Sequence, residues 1–374
     1  MKFNVSSTTF CNRLQTISRV QSNKSSLPIL DCVLFELSGG NLSMTASDSE
    51  TTIVTNLEVN DADGEGRFAI ESKQLINSIK EISDQPISFY INPDTLQVEI
   101  NYQNGKFNLM GQNAAEYPVP VDGGETSASL TVEAGLLLDG ITRTLFATAD
   151  DELRPQMNGV FFDIVPEFTT LVASDGHKLV RNRLLSVHGD AARSFILPKK
   201  PALLLKSVLP KEEGDVQISF NERNAKVQLA NYRICCRLIE GRYPNYNSVI
   251  PTDNPFRVTV DRMAFISALR RVSVFASAAN SLIKLHIENN TLTVSAQDID
   301  FSTSAEESVM CEYNGNPMSI GFNGPFLLEV LNSVASQDVV LELADPSRAG
   351  VIVPAEQDES EDLIMLLMPM MLQD

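Results

Sequence analysis

The chain is poorly equipped for chemistry. Its 374 residues hold only three histidines, His177, His188 and His286, which argues against a histidine-rich metal site. Five cysteines, Cys11, Cys32, Cys235, Cys236 and Cys311, form an odd set without Cys-x-x-Cys spacing. Cys235 and Cys236 are neighbours in a strand-like run and point to opposite faces, so the set reads as reduced thiols of a cytosol. No Gly-x-Ser-x-Gly elbow, Walker loop or Gly-rich phosphate cradle occurs. The first 30 residues hold Lys2, Arg13, Arg19 and Lys24 but no apolar segment of a secretory signal. The longest apolar run, Leu363 to Leu372, is too short to cross a bilayer and contains Pro369; it reads as a final core strand.

What the chain does contain is repetition. Three signals recur in one order at steps of about 125 residues. The first is a turn: Ala46-Ser47-Asp48, Ala173-Ser174-Asp175 and Ala296-Gln297-Asp298. The second is an amphipathic helix entered through a small or rigid residue, at Ser72-Lys73, Pro198-Lys199-Lys200 and Gly324-Pro325. The third is an aromatic or Met residue followed by Pro: Tyr117-Pro118, Tyr243-Pro244 and Met368-Pro369. So long a period means three domains and not a solenoid of small repeats. Identity between the copies is low, so the order of the signals carries the argument.

Each third reads strand, helix, strands, helix, strands. Short alternating strands open them at Lys2 to Val5, Ser129 to Val132 and Arg257 to Val260. In the first copy Phe10, Leu14, Ile17 and Gln21 follow helical spacing. In the third, Phe265, Leu269 and Val272 form the apolar stripe, and Arg270 and Arg271 fall away from it. Gly39-Gly40-Asn41 and Glu288-Asn289-Asn290 join alternating runs as hairpins. Second helices are expected over 72–82, 199–208 and 324–335. The fold class is α+β, with antiparallel sheets and two helices laid on one side of each unit. The Pro/Gly stretches from Tyr117 to Gly124 and from Ile250 to Pro255 give expected domains 1–122, 123–253 and 254–374.

A formal charge of −19 argues against a nucleic-acid partner, because binding a polyanion needs Lys and Arg against phosphates. The distribution alters this. Residues 1–30, 191–211 and 262–287 carry bases and no acid, and each stretch contains an expected helix. One reading is a solvated surface; the other is a basic helical face on an acidic body.

Catalytic readings fare poorly. The turn Asp falls once per domain, whereas acid and base carboxylates must lie within roughly 10 Å of each other. An Asp bonding its own turn backbone accounts for it. His177, beside Asp175 and Lys178, reads as a turn histidine making one hydrogen bond. The Met-rich end is either a core strand or an adaptable apolar groove for peptide ligands.

Met1-Lys2-Phe3, Leu27-Pro28-Ile29-Leu30, Ala173-Ser174-Asp175-Gly176-His177-Lys178-Leu179, Glu240-Gly241-Arg242-Tyr243-Pro244-Asn245-Tyr246, Ile320-Gly321-Phe322-Asn323 and Met368-Pro369-Met370 with Leu372 stand in this order. Together they resemble the bacterial sliding clamps, the beta subunits of DNA polymerase III, over essentially the full length. The resemblance implies three clamp-type domains per chain and a head-to-tail homodimer closed as a six-domain ring, its helices lining the hole. It implies a non-catalytic processivity factor of DNA replication, with no cofactor and no metal. Such a ring encircles double-stranded DNA irrespective of sequence. It tethers the polymerase III alpha subunit, the clamp loader and other clamp-binding-motif proteins, in the bacterial cytoplasm at the nucleoid and away from membranes.

By the same resemblance Lys24, Lys73, Arg154, Lys199 and Lys200 face DNA, and Pro155 and Gln156 stand where several clamps place tyrosines for single-stranded template. The partner-peptide pocket takes Met157, Ser174, Gly176, His177, Leu179, Pro244 and Val249, with Asn323, Phe326, Met368, Pro369, Met370 and Leu372 from the third copy. Ser248 and Met371 replace arginines of well-known members, and Asn280 stands where a gating phenylalanine occurs, so peptide preference is expected to differ. The subunit interface sets Phe107 and Leu109 against Val274 and Phe275, with Lys73, Lys80 and Lys106 facing Glu306 and Glu307. The acidic run 356–362 reads as a solvated loop. On residues alone two other classes remain: a carboxylate hydrolase, needing two acids in one pocket, and a surface adhesive protein, needing a secretion signal.

Overall fold

Helix starts are set by side chains that accept the first free backbone N–H groups. Ser6 Oγ accepts from Thr9 N at 3.3 Å, Asp261 Oδ1 from Ala264 N at 2.7 Å and Asn323 Oδ1 from Phe326 N at 3.1 Å. They open α1 (Ser7–Ile17), α5 (Arg262–Ser273) and α6 (Gly324–Ser333); the other helices are α2 (Ser72–Ile79), α3 (Ala134–Leu145) and α4 (Lys199–Val208). Each expected repeat thus carries two. The computed structural model describes residues 1–21, 27–118, 124–125 and 127–372. Lys24 and most of the expected first hinge lie outside these residues.

Every strand pairing is antiparallel, and the described residues pack as two bodies. The first holds Met1–Leu138 and Lys200–Leu238, the second Asp139–Lys199 and Ile239–Asp374. In the first body, a five-stranded sheet and an eight-stranded sheet cover an aromatic core. Phe3 stacks on Phe89 with ring centroids 4.7 Å apart, and Phe35 on Phe68 at 5.1 Å; Phe10 of α1 reaches both pairs. Burial of each such ring contributes roughly 1.5–3 kcal/mol. In the second body, α5 and α6 bury Phe265, Leu269, Leu327 and Leu331 in one core with strand residues such as Ile283, Leu285 and Phe322.

Two pairings join different repeats. The strand after the first Asp turn, Thr51–Glu58, pairs with the last strand of the second repeat, Tyr232–Arg237. The strand after the second Asp turn, Lys178–Leu184, pairs with the last strand of the third, Glu361–Leu367. The second repeat therefore contributes one sheet to each body.

Local expectations differ from the structure at element ends. Helix α2 stops at Ile79 and α6 at Ser333. Gln21 lies beyond α1, and its amide nitrogen instead donates to the Leu30 and Cys32 carbonyls at 2.9 Å. The final strand ends at Leu367 and does not run to Leu372. Past that point Pro369 has no N–H to offer a ladder. Met368 N donates to His177 O and Met370 N to Gly321 O, both at 2.8 Å, so the tail crosses to another strand. Within the acidic run, Glu361 and Asp362 belong to the strand, and Glu361 is buried against Arg143.

Candidate functional site

In all three Asp turns the carboxylate accepts backbone N–H groups of its own turn, the first two in the same pattern and the third in a longer turn. Asp48 Oδ1 accepts the N–H groups of Glu50 and Thr51 at 3.1 and 2.7 Å. Asp175 Oδ1 accepts those of His177 and Lys178 at 2.8 and 2.9 Å, and Asp298 Oδ1 that of Phe301 at 3.1 Å. Each carboxylate serves its own turn. In the second repeat the turn also organises a surface. Gly176 takes φ +92°, a conformation that suits glycine. Buried Lys178 donates to Asp175 Oδ2 at 2.8 Å, approaches Glu329 of α6 at 3.2 Å and lies 4.0 Å over the Phe326 ring. Burial acts to raise the Asp175 carboxyl, but the Lys178 ammonium and the two turn N–H groups outweigh it and hold it below its ordinary value. His177 is tied through its backbone: its N–H goes to Asp175 and its carbonyl accepts from Met368. Its ring faces Phe326, centroids 6.0 Å apart.

Around this turn the expected pocket residues gather. Leu179 is buried with Tyr243, Tyr246 and Leu366, and the Phe161 ring stacks on Tyr243 at 4.6 Å. Tyr246 donates to Asp163 at 2.7 Å, and burial together with that carboxylate pushes its hydroxyl up to about 12. Pro244 is exposed between the two tyrosines, and Val249 turns outward, 54% exposed. Met157 is buried in the Pro155–Met157 turn; from its entry the Arg154 guanidinium reaches to 3.3 Å of where a Gly176 Cβ would stand. On the other side, a Cβ on Gly321 would lie 2.7 Å from the Met370 carbonyl and 2.9 Å from Leu372 Cδ2. That glycine lets the Met368–Leu372 tail lie flat. Asn323 caps α6 and donates its amide to the Asn280 carbonyl at 3.2 Å, which brings Asn280 to the same rim. Ser248 folds back onto Asn245 O at 2.7 Å, and Met371 is 80% exposed. Sequence alone assigns no role to Glu329, to Gly321 or to the burial of Lys178; Gly321 and Lys178 each stand inside a quoted motif, and Glu329 carries no local signal.

Charge is segregated by element. The six described helices carry Arg13, Lys73, Arg143, Lys199, Lys200, Lys206, Arg262, Arg270 and Arg271, against Asp139 and Glu329, in a chain of 29 bases and 48 acids. Of the residues expected at DNA, Lys73 and Lys199 are exposed on α2 and α4. Arg154 pairs with Asp151 at 2.8 Å, and the Lys200 ammonium is held by Asp48.

The expected interface residues also have definite places. Phe107, half-buried, and Leu109, buried, lie on Gly105–Met110, an edge strand of the five-stranded sheet. Val274 and Phe275 are exposed just past α5. Lys73 and Lys80 are exposed at the two ends of α2. Lys106 pairs with Glu99 at 3.2 Å, and Glu307 accepts from Nε and Nη2 of Arg271, at 2.8 and 2.5 Å. Glu306 stands beside it on the same strand. Among the described residues no group of three or more His, Cys, Asp or Glu is placed to hold a metal, and no helix is long and apolar enough to cross a membrane.

Comparison with known proteins finds matches along the whole chain. Models of the N-terminal, central and C-terminal domains of the DNA polymerase III beta subunit match residues 1–121, 131–245 and 247–370. The beta sliding clamp of Pseudomonas aeruginosa is 27% identical over 98% of this chain and 99% of its own length; that of Haemophilus influenzae is 27% identical with the same coverage. The crystal structure of the P. aeruginosa clamp bound to griselimycin superposes with a TM-score of 0.93 at 26% identity, covering all of both chains. The Bartonella birtlesii clamp bound to griselimycin superposes at 0.92 with 26% identity. Three family domains in order, over a fold shared along its whole length, mean that the chain belongs to the DNA polymerase III beta subunit family, the non-catalytic DNA polymerase sliding clamps.

Proposed function

We propose that two copies of this sliding clamp close head to tail into a ring of six repeats, 1–122, 123–253 and 254–374 from each, around duplex DNA. The observation that carries this is the unfinished pattern of pairing between repeats. Twice the strand after an Asp turn pairs with the last strand of the next repeat. The third such strand, Thr303–Glu312, pairs on its far side only near its end, where Val260 and Thr259 meet Cys311 and Glu312. The last strand of the first repeat, Gly105–Met110, is an edge. Within one chain neither finds the other; a second copy supplies both partners, and such heterologous contacts close when the rotation allows.

Phe107 and Leu109 then meet Val274 and Phe275 of the partner subunit, with Lys73, Lys80 and Lys106 toward Glu306 and Glu307. Lys73 on α2 and Lys199 on α4 face the phosphates, joined by Lys24 and Arg154, and Lys200, engaged by Asp48, takes a lesser part; such contact, without base readout, permits sliding. The surface around His177, Leu179, Phe326 and Met370 receives short linear motifs of the polymerase III alpha subunit, the clamp loader and other partners. Its exposed thioethers accommodate varied apolar anchors. The working compartment is the bacterial cytoplasm, at the nucleoid.

The test is topological. Loaded on nicked circular DNA, the protein should remain on the circle and leave once the circle is cut to a linear form. Equal retention on both forms sinks the ring.

A further inference from the structure

Resting on the head-to-tail reading, we infer that the exposed loop Ile299–Ser302 of one subunit seats in a surface depression on the first repeat of its partner, locking the ring closed. Three observations lead there.

The first is a departure from the repeat. The turns of the first two repeats hold Ser49 and Glu50, then Gly176 and His177, before the chain returns at Thr51 and Lys178. In the third repeat Asp298 faces Thr303, so the turn is lengthened to Ile299, Asp300, Phe301 and Ser302. The added length presents Ile299 and Phe301 to solvent at 73% and 79% exposure. Asp298 Oδ1 accepts Phe301 N, which fixes the loop without using either side chain. Two large apolar side chains held outward on one ordered tip mark a contact surface.

The second is register. Gln97 pairs with Met110 where Asn224 pairs with Arg237, so Met110 is the counterpart of Arg237. At the first junction Arg237 N donates to Glu50 O at 2.9 Å, and at the second Met368 N donates to His177 O at 2.8 Å. Both acceptors are the last residue of an Asp turn. The third turn ends at Ser302, so the pattern delivers the Met110 N–H to the Ser302 carbonyl of the other subunit. Ile299 and Phe301 then arrive beside Met110.

The third is what waits there. Met110, 62% exposed, and Tyr90, 40% exposed, border a depression of about 780 Å³ that Met1, Lys2 and Asn108 also line. Lys2 lies 5.6 Å over the Tyr90 ring, a cation beside the apolar wall. Asp300, between Ile299 and Phe301, is opposite in charge to Lys2 but like in charge to Asp63 and Glu99, which also line the depression, so the apolar pair carries the seating. The depression continues the edge strand that accepts the partner, which selects a second copy of this chain over an unrelated ligand.

The experiment measures dimer dissociation of the full chain by sedimentation velocity for wild type, Ile299→Ser with Phe301→Ser, and Tyr90→Ala with Met110→Ser. Each pair should weaken the dimer by at least about tenfold, as loss of two buried apolar contacts requires. Thermal melting of the subunit should hold, because all four side chains are exposed. As a second readout, Met110→Cys with Ser302→Cys should form an intersubunit disulfide under mild oxidation, the native cysteines all being buried. If the wild type dimerises and Lys106→Cys with Glu306→Cys cross-links, while the loop variants keep native affinity and the 110–302 pair stays reduced, the seating is wrong and the ring reading survives. A wild type that stays at 41.1 kDa overturns both.

Discussion

Asp175 and Lys178 show how one residue type serves different ends in the three repeats. In every copy the Asp closes its turn, but only in the second does it also hold a buried ammonium against α6. Removing one member of a buried pair leaves the other uncompensated. Asp175→Asn should therefore cost about 2 kcal/mol in denaturant unfolding, less than a fully isolated pair because Glu329 still faces Lys178. The pH dependence has a definite sign. The folded carboxyl titrates below its ordinary value, so its stabilisation is present above the unfolded carboxylate range and is lost as pH falls through the folded value. The wild-type advantage over Asp175→Asn should be constant near neutrality and shrink only in acid; an advantage that grew in acid would contradict this. Gly176→Ala tests the backbone instead. A side chain at φ +92° costs on the order of 1–2 kcal/mol and crowds Arg154. Clamp-motif peptide affinity, read by fluorescence anisotropy, should fall with it, because the same turn presents His177.

Helix α4 separates exposed lysines, proposed to meet phosphate, from a lysine engaged by the fold. Lys199, Leu203 and Lys206 share its exposed face, whereas Lys200 is engaged by Asp48. Lys199→Ala and Lys206→Ala should each lower the slope of log affinity against log salt by about 0.9 on short duplex DNA. Lys200→Ala should change that slope less and lower the melting temperature more. Equal slopes for all three would put Lys200 on the phosphates. At this scale the sequence was largely legible. Period-two runs and Gly or Asn turns locate the hairpins, and Asn289 and Asn290 do take positive φ. The tail Met368–Leu372 was not legible as a crossing segment, because its apolar run looks like strand until Pro369 interrupts the ladder. Nor was the division of the second repeat between two bodies. Pairing between Lys178–Leu184 and Glu361–Leu367 spans most of the chain's second half and leaves no local pattern. The resemblance named the residues of the proposed pocket, but the reason these residues converge, Gly321 under Met370 and Lys178 under Phe326, lies in contacts that spacing does not encode.

The molecule as a whole is one junction used three times, and its function follows from what each copy does with it. At the first, Glu50 and Arg237 form an exposed ion pair at 3.4 Å beside the shared strand bond. At the second, His177 and Met368 occupy the same place and open onto the proposed peptide surface. In the proposed ring the third lies between subunits and is the one that must part for DNA to enter, so its strength sets how long the ring stays closed. Register transfers from the first junction to the third. Val54 pairs with Arg233, and the equivalent positions are Glu306 and Lys106. Lys106 already shares Glu99, and Glu307 is committed to Arg271, which leaves Glu306 as the acid to cross the gap. Lys106→Glu and Glu306→Lys should each weaken the dimer about fivefold, near 1 kcal/mol for a reversed exposed charge, and together should recover most of that loss. Glu307→Lys should also weaken it, through the lost Arg271 pair, but Lys106→Glu should not rescue it. Rescue by position 307 in place of 306 would shift the closing strands by one residue, turning every side chain on the Gly105–Met110 edge to the other face. Sedimentation of the four variants decides between these registers, and with them which face of that edge the partner subunit covers.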